Sequence, residues 1–173
     1  AEKNRFDIPA EYDQVVNRMT DVVVALSQTG VPQTFGDDDG GRVFDPRRNQ
    51  REHLTDPLAL GALIYGREDA RRSAQLTEEA MWLFGERALA LVDQTNPVIR
   101  RSTAFQDGGI YVMADPIEPA LMMIDAGPQG TGHCGHGHAD ALSVLFTSGD
   151  RRWLIDPGTY VYISDTDGRE IFR

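Results

Sequence analysis

The chain has 173 residues, of which 40% are hydrophobic and 25% charged, which is enough for a packed core in one domain or two small ones. A formal net charge of −10 argues against a nucleic-acid partner, because phosphate binding needs a basic face. The single cysteine, Cys134, excludes an intrachain disulfide, and no apolar run approaches the roughly 20 residues of a membrane span.

Residues 9–29 read as an amphipathic helix. Tyr12, Val15, Val16, Met19, Val22, Val23 and Leu26 recur at spacings of three and four, and Gly30 followed by Pro32 is a natural stop. Residues 33–55 are polar and irregular. Within them, Gly36-Asp37-Asp38-Asp39-Gly40-Gly41-Arg42 has two readings. It is a calcium-type oxygen cage, or a tight loop of Asx-turns with a solvated charge run, and between the two stands a loop in which one Asp pairs with Arg42 and shapes a groove wall. The acidic spacing does not match an EF-hand loop. Asp56 as N-cap and Pro57 at the first helical position predict a short helix that ends at Gly66. A further helical turn is expected over 67–74. A second long helix is expected over 77–93, with Ala80, Met81, Phe84, Ala88, Leu91 and Val92 at helical spacing and Trp82 and Leu83 widening the stripe.

From residue 98 the pattern changes to strands. They are expected over 98–105, 110–113 after a turn at Gln106-Asp107-Gly108-Gly109, 120–125, a run entered through the His-rich segment and ending at Phe146, 152–156, and 160–163. Helices before about residue 97 and strands after it are the signature of an α+β chain or of two domains, 1–97 and 98–173.

Three of the four histidines, His133, His136 and His138, fall within six residues and are interleaved with glycine. If residues 136–142 are extended, alternation puts His136, His138 and Asp140 on one face, with neighbours about 7 Å apart. At that separation it is easier for one imidazole to bind a metal while the other faces substrate. Asp156 follows His138 by eighteen residues, at the end of the next strand. A His and a carboxylate from adjacent strands begin a zinc site, which needs three or four ligands. The plainer alternatives are a Gly/His turn or a structural histidine pair on Asp140, and Asp156-Pro157-Gly158 reads equally well as turn chemistry. Cys134 reads as a space-filler and His53 as a surface residue. Tyr160 either stacks on a ring or packs in its strand.

Gly135-His136-Gly137-His138-Ala139-Asp140-Ala141-Leu142-Ser143, followed by Trp153-Leu154-Ile155-Asp156-Pro157-Gly158-Thr159-Tyr160, resembles the heparinase II/III-like polysaccharide lyases. The loop Gly36–Arg42 and the hairpin Ser102–Tyr111 fit the same family. The resemblance implies an α+β chain made of the C-terminal helices of an (α/α) toroid followed by the first strands of an antiparallel β-sandwich. It implies β-elimination at a uronic acid in an acidic polysaccharide, with His136 as the active-site histidine and His138 and Asp156 as two ligands of a structural zinc. Arg42, His133 and Tyr160 are the expected substrate contacts. The family's catalytic tyrosine and its third metal ligand are expected outside this chain. The chain opens at Ala1 without Met and stops at Arg173 without a turn signal, so it is expected to be a fragment of a longer protein. With two of the usual three ligands it is expected to be inactive alone, and the resemblance implies a periplasmic or secreted parent protein. Two other functions fit the same residues: a metal-stapled carbohydrate-binding β-module, and a metal-dependent glycan hydrolase.

Overall fold

A computed structural model describes residues 7–30, 33–37, 55–92, 97–128, 141–158, 165, 167, 168 and 171. Four helices come first: α1 (Ala10–Leu26), α2 (Asp56–Tyr65), α3 (Glu68–Ser73) and α4 (Glu78–Phe84), the last running into a 3₁₀ helix over Gly85–Leu91. Five strands follow: β1 (Thr103–Phe105), β2 (Ile110–Ala114), β3 (Ala120–Asp125), β4 (Val144–Ser148) and β5 (Arg151–Leu154). They form one antiparallel sheet in the order β1-β2-β3-β4-β5. The chain is therefore α+β, with helices before strands.

The helical core is built largely from alanine and leucine. Leu58, Ala59, Ala62 and Leu63 of α2 meet Ala70, Ala74, Ala80, Ala88 and Leu91. Small side chains let the helices approach closely: a Cβ added at Gly61 would lie 2.9 Å from Thr20 Cγ2 on α1. Gly66 closes α2 in the left-handed conformation, as its lack of a Cβ allows. Arg67 then ties α1 to α3. Its guanidinium lies 2.7 Å from Asp21 Oδ1 and 2.5 Å from Asp69 Oδ2, and donates to the carbonyl of Asn17 at 2.9 Å.

The sheet buries one face. Val112, Met123 and Leu145 stand opposite one another across β2, β3 and β4, and Leu121 stands opposite Thr147. This row packs against Ala25 and Leu26 from the end of α1, with Val22, Phe35, Phe105 and Ile110 at its margin. Helix α1 belongs to both cores, since Val23 and Val24 pack on the helical one. Gln28, just past the helix, is buried and donates to the carbonyls of Ala25 at 2.8 Å and Arg101 at 3.0 Å, while its Oε1 accepts from the Arg101 amide. The chain entering the sheet is thus fastened to the end of α1.

Several sequence expectations need correction. The stripe on α1 is buried only in its second half; Tyr12 is 60% and Met19 63% exposed. The expected helix over 77–93 breaks at Gly85, whose φ of 57° and ψ of −133° lie outside the helical region. Its buried positions are Thr77, Ala80, Ala88 and Leu91, while Met81, Trp82, Leu83 and Val92 are exposed. Thr55 precedes α2, so Asp56 is already inside the helix. The first strand is only Thr103–Phe105, because Arg101 is bonded to Gln28 rather than to a neighbouring strand. Ala141 and Leu142 form a turn, with Leu142 at φ 62°, so β4 does not extend back into the His-rich segment as an alternating strand. The expected strand over 160–163 lies outside the described residues.

Candidate functional site

Antiparallel pairing brings the end of β3, the start of β4, the end of β5 and the β1–β2 turn to the same end of the sheet. The segment containing His133, His136 and His138 connects β3 to β4 at this end, so its two stems define the site. Ile124 and Val144 are the last strand pair. Beyond them the Asp125 amide donates to the Ser143 carbonyl at 3.0 Å, and Asp125 Oδ1 accepts from the Gly127 amide at 2.9 Å. The β1–β2 turn braces this stem, with the Ala126 amide donating to the Gly109 carbonyl at 2.9 Å. The opposite stem leaves the sheet through Leu142, which is 72% exposed. The hydroxyl of Ser143 is buried there with no hydrogen-bond partner among the described residues.

Asp156 lies two residues beyond β5 and is 8% exposed. A carboxylate this buried requires donors. The Gly158 amide donates to Oδ1 at 2.7 Å, closing an Asx-turn, and the Gly36 amide donates to Oδ2 at 2.8 Å. The turn that the Asp-Pro-Gly sequence offered is therefore formed. Gly158 has φ 70°, which suits glycine at this turn. The bond to Gly36 brings the beginning of the acidic-glycine loop to the end of the sheet.

Of the residues singled out from the sequence, Asp156 is placed here. His133, His136, His138, Arg42 and Tyr160 lie outside the described residues, as do Cys134 and Asp140. Among the described residues no group of three or more His, Cys, Asp or Glu can hold a metal ion. Each oxygen of Asp156 accepts one of the two amides above. A carboxylate is a suitable oxygen donor for zinc, but the described residues do not by themselves make a metal centre.

Sequence reasoning missed Gln33. It is buried, and its Nε2 donates to Thr147 Oγ1 near the C-terminal end of β4. The available signal was Thr147 itself, a polar residue on the inward face of an apolar strand. Arg100 donates to the carbonyls of Asp115 at 3.1 Å and Ile117 at 2.6 Å, and so fastens the β2–β3 turn.

Residues 98–173 match the family profile described as Heparinase II/III-like, C-terminal. In fold, the chain is similar to the heparan sulfate lyase HepC of Pedobacter heparinus, with a TM-score of 0.61 at 17% identity over 95% of this chain and 22% of HepC. A mutant of that enzyme gives the same values. A heparinase III with methylated lysines gives 0.59 at 15% identity, again over 95% of this chain and 22% of its own. The chain thus spans about a fifth of the length of these structures and shares their fold. No curated protein matches it by sequence.

Proposed function

We infer that the full-length protein, in which residues 98–173 are the heparinase II/III-like C-terminal region, is a polysaccharide lyase acting on uronate-containing acidic polysaccharide by β-elimination. The observation that carries this reading is the family match over a sheet that gathers both stems of the His-rich segment and Asp156 at one end. In this reading α1–α4 are the last helices of an (α/α) toroid, and the sheet opens a β-sandwich. The protein works in the periplasm or outside the cell; among the described residues no helix is long and apolar enough to cross a membrane.

The reaction removes the C5 proton beside the uronate carboxylate. The electrons form a C4–C5 double bond, the C4–O bond breaks, and the leaving oxygen takes a proton. Charge develops on the carboxylate during this step and needs a positive or hydrogen-bonding partner. His136 serves that proton or charge. Arg42, His133 and Tyr160 contact the sugar. Arg67 and Arg100 are committed to carboxylates and carbonyls of the protein itself, so they are poor candidates for this work. His138 and Asp156 hold a zinc that, when bound, ties the His-rich segment to the end of β5.

The test is to incubate the full-length protein with heparan sulfate, alginate and hyaluronan and follow the ultraviolet absorbance of unsaturated uronate. Absorbance that appears, and is lost in His136→Ala, supports the reading. Hydrolytic products without unsaturation would point instead to a metal-dependent glycan hydrolase. Lyase activity that survives His136→Ala would leave the His-rich segment a binding role only.

A further inference from the structure

We propose that Gln33 and Asp156 are positioning residues that tie residues 33–37 to the sheet, Gln33 to β4 and Asp156 just past β5, fixing where the acidic-glycine-arginine loop starts beside the candidate site. The tie is independent of any metal; only its effect on turnover rests on the lyase reading.

Residues 33–37 have no place in the strand ladder, yet they are held from both sides. At one end, the Gln33 amide donates to the Leu26 carbonyl at 3.3 Å, continuing from the end of α1. Its side chain reaches across to Thr147, a fully buried hydroxyl in β4. Phe35 then packs on the sheet core. At the other end the Gly36 amide is captured by Asp156, 120 residues later in the chain. The two backbones are close there: a Cβ added at Gly158 would lie 3.9 Å from the Gly36 carbonyl oxygen.

The chemistry of the two ties differs. Gln33 with Thr147 is a neutral pair sealed from water, where losing one partner strands the other. Asp156 with Gly36 is a charge-assisted bond, stronger than a neutral one. The same carboxylate also closes its own turn through Gly158. The backbone at Gly36 and the turn at Pro157-Gly158 are thereby held by one side chain. Residues 33–37 fixed in advance cost less to order when substrate arrives, so releasing them raises KM more than it lowers kcat.

The experiment is hydrogen exchange by mass spectrometry on the full-length protein, reading peptides over 33–37 and, as an internal reference, the β3 amides. Four samples are compared: wild type, wild type stripped with a chelator, Asp156→Asn and Gln33→Leu. The expected result is slow exchange at 34–37 in wild type, unchanged by chelation. In each variant it becomes at least about tenfold faster while β3 stays protected. In the same variants KM for the polysaccharide rises several-fold and kcat falls by less. Release of 34–37 by chelation alone, unchanged exchange in both variants, or exchange that rises equally in β3 would each overturn the proposal. Wild type without lyase activity would sink the functional reading, yet the exchange data would still decide the tie.

Discussion

The brace between the β1–β2 turn and the stem of the His-rich segment makes a quantitative prediction. Gly109 and Gly149 both sit in hairpin connections with positive φ, 70° and 61°. Replacing either by alanine incurs the left-handed backbone penalty, about 1 kcal/mol. Their surroundings differ. A Cβ at Gly149 meets nothing within 4 Å. A Cβ at Gly109 would be driven into the backbone of Gly127 and would lie 2.7 Å from the carbonyl carbon of Ala126. No rotamer relieves a clash with main chain. The turn must move, at about 1–3 kcal/mol for overpacking, and the bond from the Ala126 amide to the Gly109 carbonyl goes with it. Gly149→Ala should therefore cost about 1 kcal/mol and Gly109→Ala about 2–4 kcal/mol. The assay is hydrogen exchange of the β3 and β4 amides in the full-length protein, which reads the sheet apart from other domains. The opening constants of the two variants should differ roughly five-fold to a hundred-fold. Equal costs would refute the close-approach argument and leave only backbone conformation.

Three further outcomes follow from the same geometry. Gln28→Leu should destabilise the junction between α1 and the sheet by about 2–4 kcal/mol, because it removes the acceptor of the Arg101 amide and the donor to two carbonyls; unfolding of β1 before β3 in exchange experiments would register it. Gly61→Ala should strain the contact with Thr20, and Thr20→Ser, by deleting Cγ2, should restore part of the loss; additive denaturation shifts in the double variant would contradict that coupling. The carboxyls of Asp69 and Asp115 are both held below the usual range, Asp69 chiefly by hydrogen bonding to the Arg67 guanidinium and Asp115 chiefly by the Glu118 amide and then that of Ile117. A depressed folded value means that their contribution is present above the ordinary carboxylate value of about 4 and is lost as pH falls through the folded one. Protection of residues 115–118 should accordingly hold from neutral pH to about 4 and decline below it, and Asp115→Asn should flatten that decline.

Local signals made much of the fold legible. The boundaries of β3 were readable because an unbroken apolar run, Ala120-Leu121-Met122-Met123-Ile124, sits between a Pro turn and Gly127. The stop of α2 at Gly66 was readable because a single residue type satisfies the left-handed cap. Failures came where tertiary contacts overrode the local pattern. Residues 77–93 carry helical spacing throughout, and nothing in that spacing weighs Gly85, whose backbone turns the chain so that Ala88 and Leu91 reach the core. Residues 98–102 look like strand, but the partner that satisfies Arg101 is a glutamine side chain 73 residues earlier.

At the site, the residue type at position 156 was legible and its working partner was not. An Asp before Pro-Gly announces a turn, and the Gly158 amide supplies it. The second oxygen of that carboxylate goes to a backbone amide at Gly36, and an amide carries no signature of its own in the sequence. The acidic stretch after Gly36 drew attention for its charge, as a candidate cage or groove wall. The contact that fixes its starting point uses none of that charge, only the N–H of a glycine. A carboxylate that accepts from Gly36 on one oxygen and from Gly158 on the other is a joint between the two segments, and its role as a zinc ligand would come in addition. Zinc, if His138 and Asp156 bind it, would add to a joint already closed by Gln33 and Asp156. The order of loss on stripping the metal and on substituting Asp156 then separates the two contributions: chelation should loosen the His-rich segment and leave 34–37 protected, whereas Asp156→Asn should loosen both.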